Sequence, residues 1–572
     1  MHARATPRLP TLPGDEVKLG LGLDLPWGRP IGWSRDGGRD HLSPRVARFL
    51  ERYGSAFGSV FVSWQPRDRA VLRAEDYFEA FDNFARLTPN VTRALHHTAL
   101  NTGALSPEDP GHLIDVTNAW IERYGMAWVN EDLGLWSLLG RRLPYPLPPF
   151  LTESGLRACI RNIDVIQRRL AAPFLVEFPG FTEGASFAIG AMNAYDYFAS
   201  AVEETGSPCT LDVAHLLGYQ WMSGRRGEDL FADLDRLPTS SCFEIHLSGC
   251  QIVGEQFVDS HHGVLHALQF ELLSRLVPLC PNLRVITFED PKFTDDGVLI
   301  SASTDGFERL RGFVDRLGAQ EEPLETPADL REGVPEAGDA EDLEETLYAL
   351  LYDQGARAEF AARGWDLRKR SPFDTVDMSQ LEKMSRLIVR DLLRRSHVGS
   401  GALPTLFPLT VQAWRAQHPE DPELRSLIRD FCASPSFRKH REVPTQATGL
   451  CLEETFYRFC LDADFVDVEV LEAEFLAVMI RSLAVTPEPA FSVPAGIRSC
   501  ATGWFALLGT PERPILHAAC GGQLITGEIT ALLAALLQED ATQVAAAHGV
   551  SVDDLAPAID HLRSLGLLPA SA

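Results

Sequence analysis

The 572-residue chain has no CxxC pair among its ten cysteines, no long apolar run, and few positive charges: 52 lysines and arginines stand against 79 acids, a net charge of −27. Each absence excludes something. Scattered cysteines argue against a disulfide framework and for reduced thiols, most of them buried as small apolar residues. No segment approaches the ~20 uncharged residues that a membrane span needs. The opening MHARATPRLPTLPGDE lacks the apolar h-region of a signal peptide, so a cytoplasmic protein is expected. A surface this acidic repels phosphate backbones and anionic membranes, and neither nucleic acid nor membrane is an expected partner. With 45% hydrophobic and 23% charged residues the composition is that of a folded protein, and the length asks for roughly two to four domains.

The first 318 residues repeat one theme. Short β-rich apolar runs alternate with amphipathic helical stretches, the pattern of βα units on a parallel sheet. Eight strands are expected at 19–25 (LGLGLDL), 59–65 (SVFVSWQ), 93–100 (RALHHTAL), 127–133 (AWVNEDL), 174–179 (FLVEFP), 210–215 (TLDVAH), 243–248 (FEIHLS) and 285–290 (VITFED). Their starts lie 33 to 47 residues apart, room for a strand, a helix and two loops. Helix punctuation agrees: Ser43 as N-cap before Pro44, and Gly206 as the C-cap of a helix begun near Asn193. Eight units in about 300 residues is the size of a (β/α)8 TIM barrel. Residues 1–318 are therefore assigned to a barrel.

The stretch 319–342 is rich in proline, glycine and acids and reads as a linker. Residues 343–500 read as a mainly helical domain. The tail, 501–572, has the rhythm of a small winged-helix-like module with a turn at Gly549. From Gly522 to Pro569 its six acids against one base, Arg563, disfavour contact with a phosphate backbone.

Barrel active sites lie at the C-terminal ends of the strands. There, strand after strand, this chain places a metal-binding side chain: His96, Glu131 with Asp132, Glu177 inside the apolar FLVEFP, Asp212 and His215 in DVAH, His246, Asp259 and His261 in VDSHH, and Glu289 with Asp290. One such residue is ordinary. Together they would repel one another strongly unless divalent cations cancelled the charge. Nitrogen and oxygen donors without cysteine suit zinc, manganese or non-haem iron. His97 falls on the opposite strand face from His96. It, His262 and His266 are expected to support ligands or touch substrate rather than bind metal. The segment 34–41 (SRDGGRDH) reads as a surface loop, with a part in substrate binding as the alternative.

The series His96, Asp132, Glu177, Asp212-x-x-His215, His246, Asp259-x-His261, Glu289 resembles the trinuclear metal site of the xylose-isomerase-like barrels, of which endonuclease IV is one. Within that superfamily the strings GLGLDLPWG, LHHTALNTG, NEDLGLW, LVEFPGF, LDVAHL, EIHLSG and VDSHHG resemble the multinuclear non-haem iron-dependent oxidative enzymes that modify ribosomally made peptides, methanobactin-type members among them. The similarity runs over about residues 19 to 292. It implies a first site of His96, Asp132 and Glu177, a second of Glu177, Asp212, His246 and Glu289, and a third of His215, Asp259 and His261. Glu177 would bridge two ions, and Glu177, Asp212, His215 and His246 would serve the reaction. Asp132 stands where the family usually has histidine, Phe178 where asparagine is common, and His215 where many members have asparagine. The resemblance further implies two or three iron ions, dioxygen as cosubstrate and a precursor peptide as substrate. It also implies that the region after the linker replaces a separate peptide-binding partner subunit. Two alternatives stay open at this stage: a metal-dependent hydrolase of the endonuclease IV type, which the acidic charge disfavours, and a sugar-isomerase-like enzyme.

Overall fold

The computed structural model describes residues 9–27, 44–64, 74–317, 340–363, 371–394, 403–440, 452–485 and 493–569, a few single positions excepted. All eight expected strands are present: β1 (Lys18–Trp27), β2 (Ser59–Trp64), β3 (Thr92–His97), β4 (Met126–Asp132), β5 (Phe174–Glu177), β6 (Cys209–Asp212), β7 (Cys242–Leu247) and β8 (Val285–Glu289). Each pairs in parallel with its neighbours in sequence, and β8 pairs with β1 to close the barrel.

The alternation in LGLGLDL shows how the barrel is filled. Leu19, Leu21 and Leu23 pack outward into the apolar layer under the helices. Gly20 and Gly22 point inward. A Cβ at Gly22 would stand 2.4 Å from the ring of Phe61, so that ring occupies the space the glycine leaves. Phe61, Ala94, Trp128, Leu175, Phe243 and Val285 fill the lumen below the strand ends. The barrel is thus a packed core with a site only at its mouth.

Local signals hold at Pro44, which opens the helix Pro44–Tyr53; Ser43 lies outside the described residues. Asn193 caps the helix Ala194–Thr205 by accepting from the amides of Tyr195 and Asp196, and Gly206 ends it in the left-handed region. Three strands end two or three residues earlier than expected: β3 at His97 rather than Leu100, β5 at Glu177 rather than Pro179, and β6 at Asp212 rather than His215. Residue His215 is not on a strand: β6 stops at Asp212, whose carboxylate accepts from the His215 amide at 2.8 Å and so starts the helix Val213–Met222. An aspartate ending a strand is a good helix N-cap, and this won over the apolar run that follows. Two antiparallel hairpins, Leu135–Leu138 with Arg141–Leu147 and Cys250–Val253 with Gln256–Asp259, are inserted after β4 and β7.

The C-terminal region is mainly helical, as expected. Helices Ala340–Tyr352 and Gln354–Arg363 are followed by Met378–Arg394, Pro408–Gln417, Arg425–Ala433, Leu452–Ala463 and Val468–Val485. A four-stranded antiparallel sheet spanning residues 498–528 precedes the last three short helices, and Gly549 ends the middle one. The sequence reading did not anticipate that sheet. Residues 319–339 of the expected linker and the segment 34–41 lie outside the described residues.

The two halves share one apolar core. Leu135, Leu138, Leu143, Leu147, Phe150, Phe187 and Ile189 of the barrel half pack with Leu347, Leu351, Leu381, Ile388, Phe437 and others of the C-terminal half. Arg141, buried on the first hairpin, donates to the carbonyls of Phe437 at 3.1 Å and Arg438 at 2.7 Å and lies over the Tyr348 ring.

Candidate metal centre

The parallel register brings the strand ends to one level: His96 lies beside Asn130, Asp132 beside Glu177, Asp212 beside His246, and Gly22 beside Glu289. Glu177 sits among these groups. Its Oε2 is 3.2 Å from His96 Nε2 and its Oε1 is 3.1 Å from His246 Nδ1. Asn130 donates to Oε2 at 2.6 Å. Asp132 Oδ2 lies 3.7 Å from His96, and Glu289 Oε2 lies 3.8 Å from His246.

Besides an overlapping set of His96, His246 and Glu289, three adjoining sets of buried donors result, each with ligand atoms within 4.8 Å of one another: His96, Asp132, Glu177; then Glu177, Asp212, His246, Glu289; then Asp212, His215, Asp259. Glu177 is common to the first two and Asp212 to the last two. In the third set the structure brings Asp212, rather than His261, to His215 and Asp259. His261 has a left-handed backbone, φ 47°, and its ring stands at the rim, 3.5 Å from Asp259 Oδ2. Strand alternation places His97 behind the site, where its Nδ1 is 3.5 Å from Glu131. Glu131 accepts from the amides of Leu100 and Thr102 and so holds the loop after β3. His266 caps the helix Ala267–Leu276, and His262 Nδ1 meets Ser260 Oγ at 3.2 Å.

Several contributors were not legible in the sequence. Asn130 steadies Glu177. Glu244, below the site, accepts from Trp128 Nε1 at 2.9 Å and Thr287 Oγ1 at 2.5 Å and lies 3.3 Å from His246 Nε2. A carboxylate behind a histidine fixes the ring so that its other nitrogen faces the site. The Phe61 ring forms the floor, 5.3 Å from the His96 ring and 5.0 Å from that of His246.

The donor set fits a cation. His215 Nδ1 is 2.7 Å from the Phe178 carbonyl and so carries the ring proton there. Its Nε2 faces Asp259 Oδ2 at 3.3 Å. Either a proton on the ring or a cation must stand between the two atoms. Asp212 Oδ2 and Asp259 Oδ2 are both buried and accept no hydrogen bond, though the other oxygen of each carboxylate is satisfied. Two like charges 4.8 Å apart cost about 3 to 4 kcal/mol at an effective dielectric near 20, and this cavity gathers five carboxylates.

The groups titrate accordingly. Burial works to lower His96, but Glu177, Asp132 and Glu289 outweigh it and raise the ring to about 9. Burial likewise opposes a charged His246, and Glu177 with Glu244 holds its pKa well above the usual value. Burial pushes Asp212 up to about 7. Burial also works to raise Glu177, but His246 and His96 hold it well below the carboxylate range. Protons occupy the places of cations, and metal binding must release them.

Above the donors lies a cavity of about 600 Å³. Its walls include Tyr145 and Pro146 of the first hairpin and Lys383, Leu387 and Asp391 of the helix Met378–Arg394. The C-terminal region therefore supplies part of the site.

Residues 57–300 match the family described as RiPP precursor modification enzyme MbnB/TglH/ChrH. The barrel is similar to this family over that stretch, which is less than half of the chain. The match takes in every candidate ligand from His96 to Glu289, while the C-terminal region lies beyond it. A UPF0276 protein of Anaeromyxobacter sp. (strain Fw109-5) is 28% identical over 190 residues, 33% of this chain and 64% of that protein's length. Among solved structures, the β-amylase catalytic domain of Paenibacillus polymyxa aligns at 8% identity over 54% of this chain and all of its own, TM-score 0.32. The 4-hydroxy-tetrahydrodipicolinate synthase of Methylacidiphilum fumariolicum SolV aligns at 15% identity over 66% of this chain and 96% of its own, TM-score 0.27.

Proposed function

We propose that this chain oxidatively modifies a ribosomally made precursor peptide, using two or three iron ions held at the barrel mouth and dioxygen as cosubstrate. The observation that carries the reading is the set of adjoining buried donors shared through Glu177 and Asp212, in a barrel similar to the RiPP precursor modification family. His96, Asp132 and Glu177 would hold one ion, Glu177, Asp212, His246 and Glu289 a second, and His215 with Asp259 a third, with His261 able to reach it from the rim. Bound iron would supply the one-electron chemistry with dioxygen that side chains lack. The chain's own part is positional. Glu244 and Asn130 orient His246 and Glu177. Phe61 closes the floor against water. Tyr145 and Leu387 offer apolar walls to a peptide side chain, and Lys383 stands beside them with a positive charge. The fused C-terminal region does the work of a peptide-binding partner.

The reading is tested by incubating iron-loaded protein with candidate precursor peptides from short reading frames sought beside its gene, with and without dioxygen, and weighing the peptide. A mass change that requires both iron and dioxygen is expected. A cleaved peptide or phosphodiester, with zinc as effective as iron and no need for dioxygen, would favour the hydrolytic alternative.

A further inference from the structure

The helix Met378–Arg394 is lined on two sides. Lys383, Leu387 and Asp391, four residues apart, face the metal-site cavity. On the neighbouring stripe, Arg386 and Arg390 face a second cavity, of about 740 Å³, that the proposed chemistry does not use. Arg357, Arg425 and Arg429 line its other sides. Five guanidinium groups thus open into one cleft of a chain whose net charge is −27, with Glu382 and Glu423 as the lining carboxylates.

The partners these arginines have inside the chain leave most of their donors available. Arg357 gives one nitrogen to the carbonyls of Leu350 and Leu351, at 2.7 and 3.0 Å. Arg386 reaches Glu382 at 3.4 Å, Arg425 reaches Glu423 at 2.6 Å, and Arg429 reaches Asp430 at 2.8 Å. Among the described residues Arg390 meets no acceptor. Exposed pairs of this kind are worth only about 0 to 1 kcal/mol, so an incoming carboxylate can replace them. A guanidinium offers a planar fork that matches a carboxylate with two bonds.

We propose that this cleft binds a carboxylate-rich segment of the substrate peptide while another part of the same peptide enters the metal-site cavity. The proposal rests on the peptide-modification reading above. Five guanidiniums on three helices are spread too widely for one small anion to satisfy, and they suit a chain carrying several carboxylates. Because one helix walls both cavities, a peptide passing between them rounds part of a cylinder of about 10 Å diameter, at most about half its circumference, which takes roughly two to five extended residues. The acidic segment therefore lies a few residues from the modified one. In an otherwise acidic protein, the same cleft also steers the peptide to its mooring.

The probe is a short fluorescein-labelled peptide alternating glutamate and alanine, titrated with the full chain and read by fluorescence anisotropy, beside the same peptide with glutamine for glutamate. The glutamate peptide should bind at least ~10-fold more tightly, and the double variant R386E/R390E should lose that margin. R425E/R429E, on a different helix, should lose it too, which guards against a local folding defect in either pair. Glu177→Gln should bind the peptide as the natural chain does, because it alters only the metal site. Equal binding of the two peptides, or full binding by both double variants, overturns the proposal. So does displacement by inorganic phosphate at concentrations comparable to the peptide, which would make the cleft a site for small anions. Binding is read without turnover, so failure of the oxidative reading in the mass assay leaves this result standing on its own.

Discussion

At Gly22 the absence of a side chain is what makes room for the Phe61 ring beside two histidines. The ring sits where a Cβ would be, and both His96 and His246 rest near it. Gly22→Ala is therefore expected to push Phe61 upward, cost about 1 to 3 kcal/mol through overpacking, and weaken metal binding along with stability. Thermal unfolding and metal titration of the variant check both effects. Phe61→Leu alongside Gly22→Ala should restore part of each, since the smaller side chain leaves room for the methyl group. A second residue-scale expectation concerns Cys500, whose Sγ is 3.3 Å from that of Cys520 on another strand of the C-terminal sheet. The hydrogen bond from Cys520 stabilises the Cys500 thiolate and lowers its pKa to about 7, against the opposing effect of burial. The thiolate is the reactive form, so alkylation of Cys500 should rise through a midpoint near pH 7. In Cys520→Ala that midpoint should move up toward the ordinary thiol range. Mass spectrometry of the labelled peptide reports it, and an unchanged midpoint would remove Cys520 as the cause.

At the scale of elements, the first hairpin and the helix Met378–Arg394 decide how separable the halves are. A linker rich in proline and acids suggests a tethered module, and a chain ending at residue 318 would then be a folded barrel. The shared core changes that expectation. Truncation would bare Leu135, Leu138, Leu143, Leu147, Phe150 and their neighbours. At about 1.5 to 3 kcal/mol for each large apolar side chain returned to water, the loss exceeds the ~5 to 15 kcal/mol by which a domain is stable. The truncated chain should aggregate or bind hydrophobic dyes, as light scattering and dye fluorescence would show. A monodisperse, cooperatively melting barrel would contradict the shared core. Arg141→Ala tests the same contact in the full chain. It leaves the carbonyls of Leu139, Phe437 and Arg438 without their buried donor and should cost about 1 to 3 kcal/mol in urea unfolding.

Across the whole molecule, what sequence revealed and what it hid follow from range. The strands were readable because period and punctuation are local: FLVEFP carries one polar residue in an apolar run and FEIHLS alternates apolar with polar, and a polar side chain on a buried strand needs a reason. The inward or outward sense of His96 and His97 followed from strand alternation alone. Glu244 was hidden, because its reason for being buried is three distant partners, Trp128, Thr287 and His246. The exchange of Asp212 for His261 in the third donor set was hidden too. It depends on where a hairpin strand from Gln256 to Asp259 delivers its last residue and on a left-handed turn at His261. The sheet over residues 498–528 escaped notice because small residues and glycines such as Gly503 and Gly509 interrupt its alternation. The role of Lys383, Leu387 and Asp391 is set by tertiary contact across more than two hundred residues of chain.

The central claim is that Glu177 joins adjoining metal sites, and metal counting tests it most directly. The protein, reconstituted anaerobically with ferrous iron and freed of loose metal, is analysed for iron per chain beside Glu177→Gln. A content close to two or three is predicted for the natural chain, with a loss of at least one in the variant, because the neutral amide removes a carboxylate common to the first two sets of donors. A single iron in the natural chain, or an undiminished content in Glu177→Gln, would contradict the account.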